Sequence, residues 1–119
     1  MSPARLRRAA PEEVAAALTA RTPADERLLT KHFLAVLAER APGGSVEVRV
    51  PPYAAAQVVA GVRHTRGTPP AVVETDPATW LDLATGALGW AEALAAGRVR
   101  ASGERTDLSP YLPLTEESP

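Results

Sequence analysis

Between Arg40 and Val46 the spacing of apolar residues switches from helical to alternating, and that switch excludes both an all-helical and an all-strand fold. Upstream, Leu29, Phe33, Val36 and Leu37 recur every three or four residues and lead to a basic last turn at Arg40. Thr22 is placed to cap this helix. Pro23 suits its first position, and Asp25 stands where the acidic partner of a capping box belongs. Pro42, Gly43 and Gly44 end it. Downstream, Val46, Val48 and Val50 alternate with Glu47 and Arg49, which predicts a strand with one buried and one wet face.

The rest of the chain follows the same grammar. Residues 11–20 predict a short helix, with Pro11 in its first turn, Glu12 and Glu13 at its positive end, and Val14 and Leu18 as apolar marks. Pro51-Pro52 forces a corner after the first strand. Residues 53–60 predict a second strand, although their alanines favour helix. Residues 61–70 read as a polar connection, with 62–66 as a further short strand candidate, and 71–75 as another strand. Asp76 then caps a helix opened by Pro77 and closed by a left-handed Gly86. A shorter helix spans residues 90–96 and Gly97 ends it. Residues 98–102 alternate again, with Val99 and Ala101 on one face. Leu108, Tyr111, Leu112 and Leu114 are positioned to anchor the proline-rich tail.

This order, helix pair, strands, helix pair, strand, predicts an α+β fold with helices on one face of a four- to five-stranded, mainly antiparallel sheet. The last strand arrives through a helical connection, so a parallel pairing with an earlier strand is open to it. At 119 residues the chain is one domain, 1–119, with residues 1–10 and 115–119 expected to be disordered. A chain of this size buries about 65% of its unfolded surface, enough for a real core. With only five aromatic residues, Phe33, Tyr53, Trp80, Trp90 and Tyr111, that core must be built mostly of Leu, Val and Ala.

Composition removes several functions. Thirteen basic residues balance fourteen acidic ones, so no concentrated basic face attracts nucleic acid. The absence of cysteine excludes disulfides and thiolate metal sites and fits a cytoplasmic protein. The opening MSPARLRRAAPEE lacks the apolar run of a secretory signal. No stretch is apolar and long enough for membrane insertion.

The segment ETDPATWLDLATGALGWAEALAAGRVRASG, residues 74–103, resembles the carboxy-terminal half of the sterol carrier protein type 2 family. Asp76, Trp80, Leu81, Leu83, Gly86, the helix around Leu94, Gly97, Val99, Ala101 and Gly103 carry the likeness, and the closing SGERTDLSPYLPL is similar to actinobacterial members. The resemblance implies a helical layer over a curved five-stranded sheet, with an apolar tunnel that accepts sterols, fatty acyl chains or similar lipids. It also implies no chemistry of the domain's own. The fold occurs in mycothiol-dependent isomerases, whose metal lies on a separate helical domain that this chain lacks.

On that reading Trp80, Leu83, Leu88, Trp90 and Leu94 are the candidate cavity wall; ordinary core filling is the competing account. Arg63, His64 and Arg66, in the glycine-flanked loop, are the candidate polar rim, because arginine holds carboxylate or phosphate by paired hydrogen bonds. A solvated connection is the alternative there. Arg98 and Arg100 are expected on one strand face, within reach of Glu47.

No catalytic residues emerge. His32 and His64 have no motif partners, and Lys31-His32 is expected to face solvent. The serines lack a nucleophile elbow, and the glycines form no phosphate-binding loop. No cofactor and no metal is called for. The leading expectation is a non-enzymatic binder of a small apolar ligand. The alternatives are an interaction module with a closed core, homo-oligomeric or bound to a protein partner, and an accessory domain for a thiol-cofactor-dependent enzyme.

Overall fold

The computed structural model describes residues 6–61 and 71–115. Among these residues four helices and four strands follow in order: α1 (Pro11–Ala20), α2 (Pro23–Arg40), β1 (Val46–Val50), β2 (Ala54–Val58), β3 (Ala71–Thr75), α3 (Pro77–Thr85), α4 (Trp90–Ala95) and β4 (Val99–Ser102). A 3-10 turn, Ser109–Tyr111, interrupts the tail. The fold is α+β, with a mixed sheet in the order β2-β1-β3-β4. The strand considered at residues 62–66 lies outside the described residues.

The helix starts obey local chemistry. Thr22 Oγ1 accepts the Asp25 N–H at 3.2 Å, while Asp25 Oδ2 accepts the Thr22 N–H at 3.0 Å, so two otherwise orphaned donors are satisfied reciprocally. Asp76 Oδ1 accepts the Thr79 N–H at 2.7 Å and starts α3 in the same way. Gly86 ends α3 at φ 85°, a left-handed conformation that glycine adopts without steric penalty.

β1 pairs antiparallel with β2 and parallel with β3, and β3 pairs antiparallel with β4. The parallel partner expected for the last strand is therefore corrected. β4 runs against β3, and the parallel pair is β1–β3. The connection through α3 and α4 returns the chain to the end of β3 it left, with Thr75 opposite Val99. Thr75 Oγ1 donates to the Arg98 carbonyl at 2.8 Å and fixes that return.

The second strand is shorter than the 53–60 expectation because Val59 leaves the ladder. It sits at φ 67°, unusual for a β-branched residue. Its N–H donates to the Ala41 carbonyl at 2.6 Å, and its carbonyl accepts both the Ser45 N–H at 3.0 Å and the Ser45 hydroxyl at 2.7 Å. These bonds join the end of β2 to the α2–β1 connection. Gly43 allows the approach; a Cβ there would lie 2.3 Å from the Val59 carbonyl oxygen.

The register places Val46, Val48, Val50, Val58, Val73 and Val99 on one sheet face, all buried under the helices. The other face carries Gln57, Glu47, Arg49, Glu74, Arg100 and Ser102. α2 is central. It packs against α1, β2 and α3, and every residue from Phe33 to Leu37 is buried. Three-sided packing of this kind gives a helix core residues all round rather than a single stripe.

The tail is anchored as its leucines suggested. Leu108 and Leu114 are fully buried, with Tyr111 and Leu112 partly so. Leu114 N–H donates to the Ala84 carbonyl at 2.7 Å. The Arg40 guanidinium donates to the carbonyls of Pro113 at 2.8 Å and of Tyr111 and Leu114 at 3.4 Å each. Of the amino-terminal residues expected to fray, the described part, residues 6–10, lies against α2: Ala9 N–H donates to His32 Nδ1 at 2.8 Å. His32 is thus buried, correcting the expectation that it faces solvent.

Candidate ligand-binding interior

The cap at Asp76 fixes where α3 begins, and so which residues turn inward. Trp80, one turn on, enters the contact between α3 and α2, and its Nε1–H donates to the Thr30 carbonyl at 3.2 Å. Burial of an indole requires such a partner for its N–H. Leu83 lies on the same helical face, and both residues are only 1% exposed. Leu88 is half-buried in the α3–α4 connection, and Trp90 is buried at the start of α4. Leu94 is 40% exposed.

The five candidate wall residues therefore form a gradient. Trp80 and Leu83 are enclosed, Leu88 and Trp90 lie at the boundary, and Leu94 stands on the outer side of α4. Only Trp90 and Ala93 of α4 are buried, so most of this short helix faces solvent. The candidate rim residues Arg63, His64 and Arg66 lie outside the described residues.

One polar atom in this region is unsatisfied. Thr30 is fully buried, and its Oγ1 has no hydrogen-bond partner among the described residues. Its carbonyl holds Trp80, so the orphan hydroxyl sits on the residue that ties α2 to α3. A buried hydroxyl without a partner costs about 1–3 kcal/mol, which makes it exceptional in a folded protein. No local sequence signal marked Thr30, since its significance depends on a contact with α3.

Arg98 supplies a second missed feature. It does not reach Glu47, as the alternation suggested, and Arg100 stands opposite Glu74 instead. Its Nε donates to Thr79 Oγ1 at 3.0 Å and its Nη2 to Asp82 at 3.2 Å, while its N–H donates to the Ala93 carbonyl at 2.9 Å. It thereby clamps α3, α4 and the start of β4 together. On the outer sheet face Glu47 pairs with Arg49 instead. The hydrogen bond and charge of Glu47, with Glu74 on the adjacent strand, hold the Arg49 guanidinium above its already high value. An exposed pair of this kind contributes little to stability.

Among the described residues no group of three or more His, Asp or Glu side chains is arranged to hold a metal ion. No helix among them is long and apolar enough to cross a membrane. What the interior offers is apolar surface, one orphan hydroxyl and a lightly covered wall.

No curated protein matches the chain. The profile of the family described as a bacterial SCP ortholog matches residues 22–114, from the cap of α2 through the anchored tail. With that match over most of its length, the chain belongs to the sterol carrier protein-like family.

Proposed function

We propose that the protein carries an apolar ligand, a sterol, fatty acyl chain or similar lipid, between its helical layer and the valine face of the sheet, and performs no covalent chemistry. The observation that carries this reading is the family match across the whole α2–β4 framework. Each buried methylene of a ligand contributes about 0.8 kcal/mol, so a continuous apolar interior suffices for binding.

Trp80 and Leu83 are enclosed, so a ligand reaches them only if the helical layer yields. α4 is the element to move, since most of its surface already faces solvent. In this mechanism Leu88 and Trp90 line the opening, Leu94 lies on its rim, and the Thr30 hydroxyl meets the polar group of a hydroxylated ligand. Arg63, His64 and Arg66 stand in the proposal as a basic rim on the strength of the sequence alone. The proposed setting is cytoplasmic.

Intrinsic fluorescence tests it. Trp80 and Trp90 are the only tryptophans, so saturable quenching by a brominated fatty acid reports occupancy directly. Unchanged emission up to the solubility limit argues against the carrier reading. The close enclosure of Trp80 and Leu83, with Leu94 exposed, favours a second reading, an interaction module with a closed core. It predicts no quenching and a concentration-dependent oligomer or a protein partner.

A further inference from the structure

A groove of about 420 Å³ lies between the amino-terminal segment and the first half of α2, away from the sheet interior. Its apolar lining comes from Leu6, Ala9, Ala24 and Leu28, and its polar lining from Arg7, Arg27 and Lys31. No carboxylate lines it among the described residues. Ala24, Arg27, Leu28 and Lys31 are spaced by three, one and three residues, so they share one face of α2. Arg7, Arg27 and Lys31 have no hydrogen-bond or ion-pair partner among the described residues. Arg8, next to Arg7, is engaged elsewhere, with Glu39 at 3.5 Å.

The wall is held in place. The Ala9–His32 bond and the exposed Arg8–Glu39 pair tie residues 8 and 9, just before α1, to α2. The groove is open to solvent, and its volume falls in the range of small-molecule sites.

We propose that this groove is a second binding site, for a small amphipathic anion: a carboxylate or phosphate borne on a short apolar body. The charge is set by three cations that have neither a partner nor an opposing acid among the described residues. The apolar body is set by the leucine and alanine floor, on which a bare inorganic anion would leave surface wet. The concave shape favours a single molecule over the flat surface of a bilayer. This site is independent of the interior carrier reading and stands or falls without it.

The test is isothermal titration of the full chain with n-octyl phosphate below its micelle-forming concentration. Inorganic phosphate, n-octanol and phosphatidylglycerol vesicles serve as comparisons. The expected result is saturable binding of octyl phosphate, at least about tenfold tighter than either fragment. An Arg27→Gln/Lys31→Gln variant should lose at least about tenfold in affinity while its urea midpoint stays near wild type, since neither side chain holds another element in place. A Thr30→Val variant should bind octyl phosphate as wild type does, which separates this groove from the interior. Equal affinity in the double variant overturns the proposal. So does binding to vesicles with none to monomeric octyl phosphate, or equal binding of octyl phosphate and inorganic phosphate.

Discussion

Replacing Thr30 with valine tests the interior at its most exceptional atom. Thr30 is fully buried and its Oγ1 lacks a partner among the described residues. Valine keeps nearly the same volume and a comparable helix propensity, so the substitution removes the hydroxyl with little other change. An unpartnered buried hydroxyl carries a desolvation penalty of about 1–3 kcal/mol. Part of this is offset by small shifts around the new methyl group, leaving an expected gain of about 1 kcal/mol. For a domain of this length that raises the melting temperature by about 3–5 °C. Urea unfolding monitored by tryptophan fluorescence should show a higher midpoint with an unchanged slope. The same variant should bind a sterol about tenfold more weakly, but bind the hydroxyl-free hydrocarbon analogue as wild type does, if Thr30 serves the ligand's polar group. A loss of more than about 1 kcal/mol in the unliganded protein would refute the reasoning, because it would mean that the hydroxyl makes a hydrogen bond.

Four further outcomes follow from the packing. Trp80→Ala should cost about 3–5 kcal/mol and weaken ligand binding, measured by urea unfolding and fluorescence titration; wild-type affinity in a folded variant removes Trp80 from the wall. Gly43→Ala should cost at least about 2 kcal/mol, since its Cβ would collide with the Val59 carbonyl, and thermal unfolding measures the loss. Arg40→Ala should free the tail without unfolding the sheet, seen as faster hydrogen exchange at the Leu114 amide than at Val48. The Thr22 hydroxyl and N–H hold the Asp25 carboxyl below its ordinary value. Its ionised form therefore supports the fold above the unfolded carboxylate pKa, and that support fades as pH falls through the lowered folded value. Thr22→Ala should flatten this part of the stability profile in urea titrations between about pH 5 and 2.

What could be read from the sequence was what depends on neighbours along the chain. The Thr22-Pro23-Asp25 cap, the Asp76-Pro77 start and the Gly86 stop are decided within four or five residues, and the structure has each one where local chemistry puts it. The Val46–Val50 alternation was equally plain, because one face of β1 is buried and the other is not. Resemblance over residues 74–103 likewise identified the family.

What escaped depends on distant partners. Val59 reads as one more residue of an apolar strand, yet bonds to Ala41 and Ser45 pull it out of the ladder. His32 reads as solvent-facing until the amino-terminal segment lies across it and supplies the Ala9 N–H. Arg98 and Arg100 alternate like strand residues, but Asp82 and Thr79 draw Arg98 to α3. The direction of β4 was set by how far α3 and α4 carry the chain, and local propensity does not encode that. Of the candidate wall, α3 and α4 were placed correctly as elements. The depth of each side chain, from enclosed Trp80 to exposed Leu94, came only with the packing.

Carriage of an apolar ligand is the central claim, and native mass spectrometry of freshly purified protein, followed by organic extraction, tests it most directly. The account predicts a one-to-one adduct of lipid-like mass that is recovered in the organic phase and lost on denaturation. Bare protein at the sequence mass, which also takes up no added fatty acid or sterol, would contradict it.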